Sequence, residues 1–359
     1  MSLSIGIVGL PNVGKSTLFN ALTDANALIA NYPFATIEPN TGVVPVPDER
    51  LEKLAKIYKT DKIVPATVKF VDIAGLVAGA HQGEGLGNQF LSHIRACNAI
   101  CHVVRAFEDE NVQNKGTSDP KEDIEIINTE LVLADLATVN KRLPVLEKEV
   151  KANPKLTPIY DNLLLTKKVL EENKLIISVP EINLDYLDDL FLITAKPVIY
   201  VFNVDEKKLN KLENNKNLSA IVEPSEAIII SAKLEDELRG LDETDRQELL
   251  KSYGQTESGL IQLIHAAYKT LGLHSFLTVG EKEVRAWTIN RGTTAPEAAG
   301  AIHTDFERGF INAQVVNYQD LIEAGSLLTA RAAGKVRTEG KNYVVQPDDV
   351  IEFRFNPVK

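Results

Sequence analysis

Eight residues near the amino end, Gly9-Leu10-Pro11-Asn12-Val13-Gly14-Lys15-Ser16, fit the pattern G-x-x-x-x-G-K-[ST]. The residue types suit a polyphosphate. Gly9 and Gly14 permit backbone conformations in which successive N–H groups turn inward toward an anion. A helix opening after Lys15 would add the positive end of its dipole at the same spot. Lys15 would reach the β- and γ-phosphates, and the Ser16 hydroxyl would ligate Mg2+. Asp72, in Asp72-Ile73-Ala74-Gly75, would hold the same ion through water, with the Gly75 N–H sensing a γ-phosphate. Thr36 could close its hydroxyl over the metal; the alternative is one solvated loop threonine among many. Leu76 stands where many hydrolases with this loop carry a glutamine that orients the attacking water. A leucine cannot orient water, so either hydrolysis is slow or the water is held from elsewhere. His81, Gln82 and Glu84 in the glycine-rich stretch 79–87 are near candidates, weighed against a plain solvated loop.

The base would be chosen further along the chain. Asn203-Val204-Asp205-Glu206 closes an apolar run, at a place where GTP-selective proteins of this architecture read N-K-x-D. Here Val204 replaces the lysine and Glu206 the final acid, one methylene longer, which should not hold both guanine donors in register. Adenine offers an N6–H2 donor and an N1 acceptor that a backbone C=O and N–H near Val204 would satisfy. Ser231-Ala232-Lys233 fits a loop supporting the base. The residues favour adenine and leave guanine open.

These residues need strands and helices to hold them. Ser4-Ile5-Gly6-Ile7-Val8, residues 68–73, 99–104 and 197–202, and Ala227-Ile228-Ile229-Ile230 read as strands separated by helical stretches, the pattern of βαβ units and a mostly parallel sheet. From Glu122 to Leu146 apolar residues at Ile124, Ile127, Leu131, Val139 and Leu146 form a helical stripe. A breaker cluster at 153–158 and a second stripe through Leu163 and Leu170 make an antiparallel helical hairpin, either a solvated structural arm or a lever docking a large partner. From about Ser275 short strands and turns close the chain, with candidates at 277–279, 284–289, 310–316, 343–345 and 350–355.

Composition bounds the rest. In 359 residues, 39 Lys and Arg against 50 Asp and Glu give a net charge of −11, which excludes a whole-chain basic field for nucleic acid, and no DNA sequence specificity is expected. A local strip at 331–346, where Arg331, Lys335, Arg337 and Lys341 face Glu339, could touch RNA phosphates or be a plain solvated edge. No apolar stretch approaches the ~20 residues of a membrane helix and nothing reads as a secretory signal, so a cytoplasmic protein is expected. Cys97 and Cys101, with His102, suggest a metal cluster only superficially, since a zinc site wants four ligands; the cysteines read as buried structural thiols.

Taken together, the phosphate loop, Asn31-Tyr32-Pro33-Phe34-Ala35-Thr36, Asp72-Ile73-Ala74-Gly75-Leu76, Gly83-Glu84-Gly85-Leu86-Gly87-Asn88-Gln89-Phe90 and N-x-x-E resemble the YchF (Obg-like ATPase) family. Residues 298–306, Ala333-Gly334-Lys335-Val336-Arg337 and Gly340-Lys341-Asn342-Tyr343 resemble that family's TGS domain. The resemblance spans essentially the whole chain. It implies an α/β fold: a G-protein-type nucleotide-binding domain at 1–121 and 195–273, a helical coiled-coil insertion at 122–194 and a β-grasp TGS domain at 274–359. It implies ATP hydrolysis with Mg2+ and a ribosomal partner, with the large subunit and ribosomal RNA as the finer expectation. By position it puts Asn12, Val13, Gly14, Lys15, Ser16 and Thr17 on the phosphates, Ser16 and Thr36 on Mg2+, and Asn203 with Val204 at the adenine. Asn12 also matches a position that binds a monovalent cation such as K+ in some relatives. One departure stands out: relatives often carry a histidine after Phe107, and this chain reads Asn111-Val112-Gln113-Asn114, so no general base is assigned. Two rivals remain, a GTPase of the same fold and a ribosome- or RNA-binding adaptor with incidental nucleotide turnover.

Overall fold

The computed structural model describes residues 3–24, 40–73, 86–107 and 119–356. Among them are strands β1 (Ser4–Val8), β2 (Thr41–Pro45), β3 (Ile63–Val64), β4 (Thr67–Asp72), β5 (Ala99–Ala106), β6 (Val198–Val204) and β7 (Glu226–Ile230). Five more follow, β8 (Leu273–Val279), β9 (Val284–Asn290), β10 (Phe310–Asn317), β11 (Arg337–Glu339) and β12 (Asp349–Phe355). The helices that matter below are α1 (Lys15–Asp24), α2 (Glu49–Tyr58), α3 (Leu86–Ala96), α4 (Pro120–Ala152), α5 (Thr157–Glu171), α6 (Leu212–Val222) and α7 (Ala232–Glu237). The chain divides into two compact units, Met1–Val43 with Lys69–Ala267, and Val44–Val68 with Tyr268–Lys359.

The first unit carries a sheet of order β2-β4-β1-β5-β6-β7. Its β1–β4, β1–β5, β5–β6 and β6–β7 pairs are all parallel, as the sequence pattern predicts. The central strands read as unbroken apolar runs because helices cover both faces; β1 is buried at every position, and Ile5, Ile7 and Val8 have no exposed surface. The strand order reverses between β1 and β5, and the carboxyl ends of strands flanking such a reversal are where open α/β sheets bind ligands.

The helical hairpin is real and somewhat longer than its sequence stripe. Asp119 caps α4 by accepting from the Lys121 N–H, Pro120 occupies the first turn, and the helix runs 33 residues to Ala152. Val132, Val139 and Leu146 of α4 pack on Leu163, Val169 and Leu170 of α5 and on Ile176, Ile182, Leu187 and Leu192 of the irregular return segment. At the root of the arm the fully buried Asp135 carboxylate accepts from the N–H groups of Ile193 and Thr194 and from the Thr194 hydroxyl, at 2.7–3.0 Å. Arg95 of α3 lies 3.5 Å from the same carboxylate and donates to the Ala134 carbonyl and the Thr138 hydroxyl, so the arm is pinned to the helix that precedes β5.

The second unit holds a sheet of order β11-β10-β12-β8-β9-β3, antiparallel except for the β12–β8 and β3–β9 pairs. Phe276, Ile289, Phe310, Val315 and Ile351 pack against Ala295, Ala298 and Ala299 of a short helix. Two findings differ from the sequence expectation. Residues 44–68, expected in the nucleotide-binding domain, group with this unit: β3 pairs with β9, the Lys62 ammonium meets Glu283 at 2.6 Å, and Arg50 of α2 donates to the Pro347 carbonyl and to Asp348. Residues 343–345 form no strand beyond a single bridge between Thr294 and Val344. The segment ties in through single backbone bonds instead, the Tyr343 carbonyl accepting from the Ala295 N–H and the Val345 N–H donating to the Thr293 carbonyl, while the Tyr343 hydroxyl and the Gln346 N–H donate to the buried Asp349 carboxylate. Among the described residues no helix is long and apolar enough to cross a membrane.

Candidate functional site

A cleft of about 660 Å³, of a size with ordinary small-molecule sites, opens at the carboxyl ends of the parallel strands. Asn12, Gly14, Lys15, Ser16 and Thr17 line one part of it. Asn203, Val204, Glu206, Ser231, Ala232 and Lys233 line another, so residues separated by the whole helical arm in sequence meet in one depression. Of the expected nucleotide-binding set, Val13 alone stays out of the lining: its side chain is buried at 2% exposure, leaving only its backbone to contribute.

The loop between β1 and α1 is built for close backbone approach. A Cβ on Gly9 would collide with the Val103 carbonyl of β5, and one on Gly14 with the Asn203 side-chain amide. Gly14 also has φ +95°, where a side chain is strained. α1 begins at Lys15, so its unpaired N–H groups and dipole face the same space. The Lys15 side chain is buried at 8% exposure, with its ammonium donating to the carbonyls of Gly9 and Leu10 at 3.1 and 2.6 Å. Burial pulls its pKa down to about 8, while the negative charge of Asp72 opposes the shift. Asp72, half-buried at the end of β4, responds in reverse: burial raises its carboxyl above the ordinary range and Lys15 draws it back. A cation and an anion that perturb each other beside a helix N-terminus suit an anionic ligand carrying a hard metal ion. The Ser16 hydroxyl and the Asp72 carboxylate are oxygen donors of the kind Mg2+ takes.

Asn203 braces this loop. Its Nδ2 donates to the Val13 carbonyl at 3.0 Å and its Oδ1 accepts from the Ala232 N–H at 2.9 Å, so one buried amide ties the phosphate loop to the start of α7. Ser231 caps α7, its hydroxyl accepting from the Leu234 N–H. Glu206 is not free to serve a ligand alone: its carboxylate meets the Lys233 ammonium at 2.8 Å. Burial pulls the Glu206 carboxyl up, but the hydrogen bond and charge of Lys233 outweigh it and hold the group below the usual glutamate value.

Three lining residues escaped the sequence reading: Phe107, Asp205 and Asp236. Phe107 is the first residue beyond β5, and its half-buried ring offers the cleft an aromatic face. Arg105 holds it, with the guanidinium 4.5 Å from the ring centroid and Nε donating to the Phe107 carbonyl at 3.2 Å. The signal was available, since any residue just past a parallel strand facing this loop is a lining candidate. Thr36, Gly75, Leu76, His81, Gln82, Glu84 and residues 111–114 lie outside the described residues.

Cys97, Cys101 and His102 resolve as structural. Cys97 and Cys101 are buried, burial pushes the Cys101 thiol up to about 12, and no metal-binding group of three ligands occurs among the described residues. His102 is held neutral, its pKa pulled down to about 3 by burial and then by the Lys15 charge. In the basic strip, Arg331, Lys335 and Arg337 each stand within 4 Å of a carboxylate, those of Glu352, Asp320 and Glu339 respectively, so much of its positive field is answered locally.

With this geometry in place, comparison with known proteins is informative. A family described as "50S ribosome-binding GTPase" matches residues 4–134, and the YchF C-terminal family, described as a protein of unknown function (DUF933), matches residues 273–356. A Bacillus subtilis (strain 168) protein named ribosome-binding ATPase YchF is 51% identical over 99% of this chain and 100% of its own length. The chain belongs to the YchF family. A YchF relative of the same name from Escherichia coli O157:H7 is 47% identical over 99% of this chain and 100% of its own length. The solved structure of the Schizosaccharomyces pombe YchF GTPase superposes with a TM-score of 0.87 at 40% identity, covering 98% of each chain. The family membership and the fold expected from the motifs are therefore both shown. YchF relatives are named ATPases in some cases and GTPases in others, which makes the base end of the cleft the informative region.

Proposed function

We propose that this YchF-family chain binds ATP with Mg2+, hydrolyses it slowly, and uses the bound nucleotide to alter its engagement with ribosomes. One observation carries the reading: a buried Lys15, answered by Asp72, sits at a glycine loop and helix N-terminus that share a single cleft with the Asn203–Glu206 and Ser231–Lys233 segments. The relatives named ribosome-binding ATPase support the ribosomal half, and a cytoplasmic location follows from it. The large subunit and ribosomal RNA are the finer proposal.

Ser16 would hold Mg2+ directly, Asp72 through water, with Thr36 as a further hydroxyl, and the metal would neutralise phosphate charge. Lys15 and the N–H groups from Asn12 to Thr17 would bind and orient the phosphates. A K+ beside Asn12 belongs to the same proposal. Leu76 brings no group that could orient water, which supports slow turnover. Asn203 would hold the phosphate and base segments in register, and Val204 would meet adenine through its backbone. The modules would be the nucleotide domain, the 122–194 arm and the C-terminal domain, the last taking residues 44–68 with it.

Calorimetric titration with ATP and GTP, with and without Mg2+, tests the nucleotide half. ATP should bind more tightly than GTP and only weakly without the metal; GTP binding at much lower concentration would establish the GTPase reading instead. Sedimentation with ribosomes tests the other half: binding indifferent to ATP would favour an adaptor.

A further inference from the structure

Three carboxylates line the cleft near the ends of β6 and β7, and each has a basic partner. Asp205 meets Lys208 at 3.2 Å, Asp236 meets Arg239 at 2.7 Å, and Glu206 meets Lys233 at 2.8 Å. Lys233 differs from the other two partners in lining the cleft itself. The Glu206 carboxylate also accepts from its own backbone N–H, and with 17% of its side chain exposed it has little solvent left to exchange with. A carboxylate satisfied in this way is a poor acceptor for anything that arrives later.

We propose that Lys233 is a specificity-determining residue, its ammonium occupying the Glu206 carboxylate so that the N1–H and N2–H2 donors of guanine find no acceptor there. Adenine makes no demand on that carboxylate, because it brings one donor and one acceptor that backbone groups can meet. The inference rests on the nucleotide reading above and goes further, making base choice depend on a paired lysine and not on the length of Glu206 alone. Desolvating two guanine donors without a partner is the penalty the pair imposes.

The test is calorimetric titration of the full chain with ATP and with GTP in the presence of Mg2+. Lys233→Met keeps the aliphatic stem and removes the charge. Because the pair is solvent-exposed on the lysine side, with 73% of that side chain accessible, the expected fall in the GTP-to-ATP Kd ratio is about fivefold. Taking the ratio cancels any general attraction of the ammonium for triphosphates. In a Glu206→Gln background the same change should leave the ratio flat, since the carboxylate that Lys233 covers is gone. A ratio unmoved by Lys233→Met overturns the assignment, and so does a ratio that falls equally in both backgrounds. Wild-type protein with no affinity for ATP overturns the nucleotide reading itself, which distinguishes the two failures.

Discussion

The two ends of the cleft are built on different principles. At the phosphate end the recognition groups are backbone N–H donors and one buried lysine, held by glycines that no other residue could replace without collision. At the base end the charged side chains lining the cleft are carboxylates, each answered by a basic partner at or near the surface, and adenine is left to backbone groups near Val204. Buried, preorganised donors lose no freedom on binding and act in a low dielectric, whereas exposed pairs are screened and rearrange cheaply. Affinity should therefore be concentrated at the first end and discrimination at the second.

The largest effect should come from Lys15. Lys15→Ala removes the only side-chain cation buried against the loop carbonyls among the described residues, and ATP affinity should fall by about 100-fold or more in calorimetry. Its titration gives a second measurement. With a pKa of about 8 in the free protein, Lys15 is losing its charge above that pH, while a bound polyphosphate would hold the proton on. ATP affinity should therefore decline as pH rises through 8. The stability of the free protein should move the other way: the unfolded chain binds more protons between about 8 and the ordinary lysine value of 10.5, so this group favours folding increasingly across that window. Lys15→Arg stays charged throughout, and its ATP affinity, whatever its value, should be flat over the same range. A wild-type profile equally flat would deny Lys15 its role.

A middle-sized effect tests what joins the two ends. Asn203→Ala strands the Val13 carbonyl and the Ala232 N–H in a buried position, for a combined loss of about 2–3 kcal/mol. Thermal unfolding should show a melting temperature lower by roughly 4–6 °C, and ATP affinity should drop about tenfold as the phosphate loop loses its brace. Asn203→Asp keeps the acceptor for Ala232 but sets a buried carboxylate against the Val13 carbonyl, so a loss at least as large as that of the alanine variant is expected. Unchanged affinity in both variants would mean that the two ends work independently.

The contrast also explains what could be read from the residues alone. The phosphate end is legible because its geometry is local: one loop and one helix start supply glycines, lysine and hydroxyl within eight positions. The brace is not, because Asn203 reaches a carbonyl 190 residues away and an N–H 29 residues away, and neither partner carries a distinctive type. Glu206 stands out in the sequence as one methylene longer than aspartate, yet its pairing with Lys233 depends on two strand ends meeting. The grouping of residues 44–68 with the C-terminal unit is hidden for a related reason: a strand of two residues, Ile63 and Val64, is too short to show a period, and its partner β9 begins far along the chain. Phe107 is legible only from its place one residue past β5, since a lone aromatic at a strand end has no pattern around it.

The smallest expected effect gives the comparison its strictest test. Asp236 lines the cleft, but its side chain is 52% exposed and its pairing with Arg239 spans one helical turn. Such a pair contributes about 0.3–0.5 kcal/mol, so Asp236→Asn should leave the melting temperature within about 1–2 °C of wild type. Removing one negative charge from a cleft that receives a triphosphate should raise ATP affinity by about twofold at low salt, and the gain should vanish near 0.5 M salt as screening shortens the reach of the charge. A tenfold change in either direction would show that a carboxylate at the base end holds the ligand as firmly as the backbone does at the phosphate end. Affinity would then be shared along the whole cleft, and the division of labour argued from burial would fail.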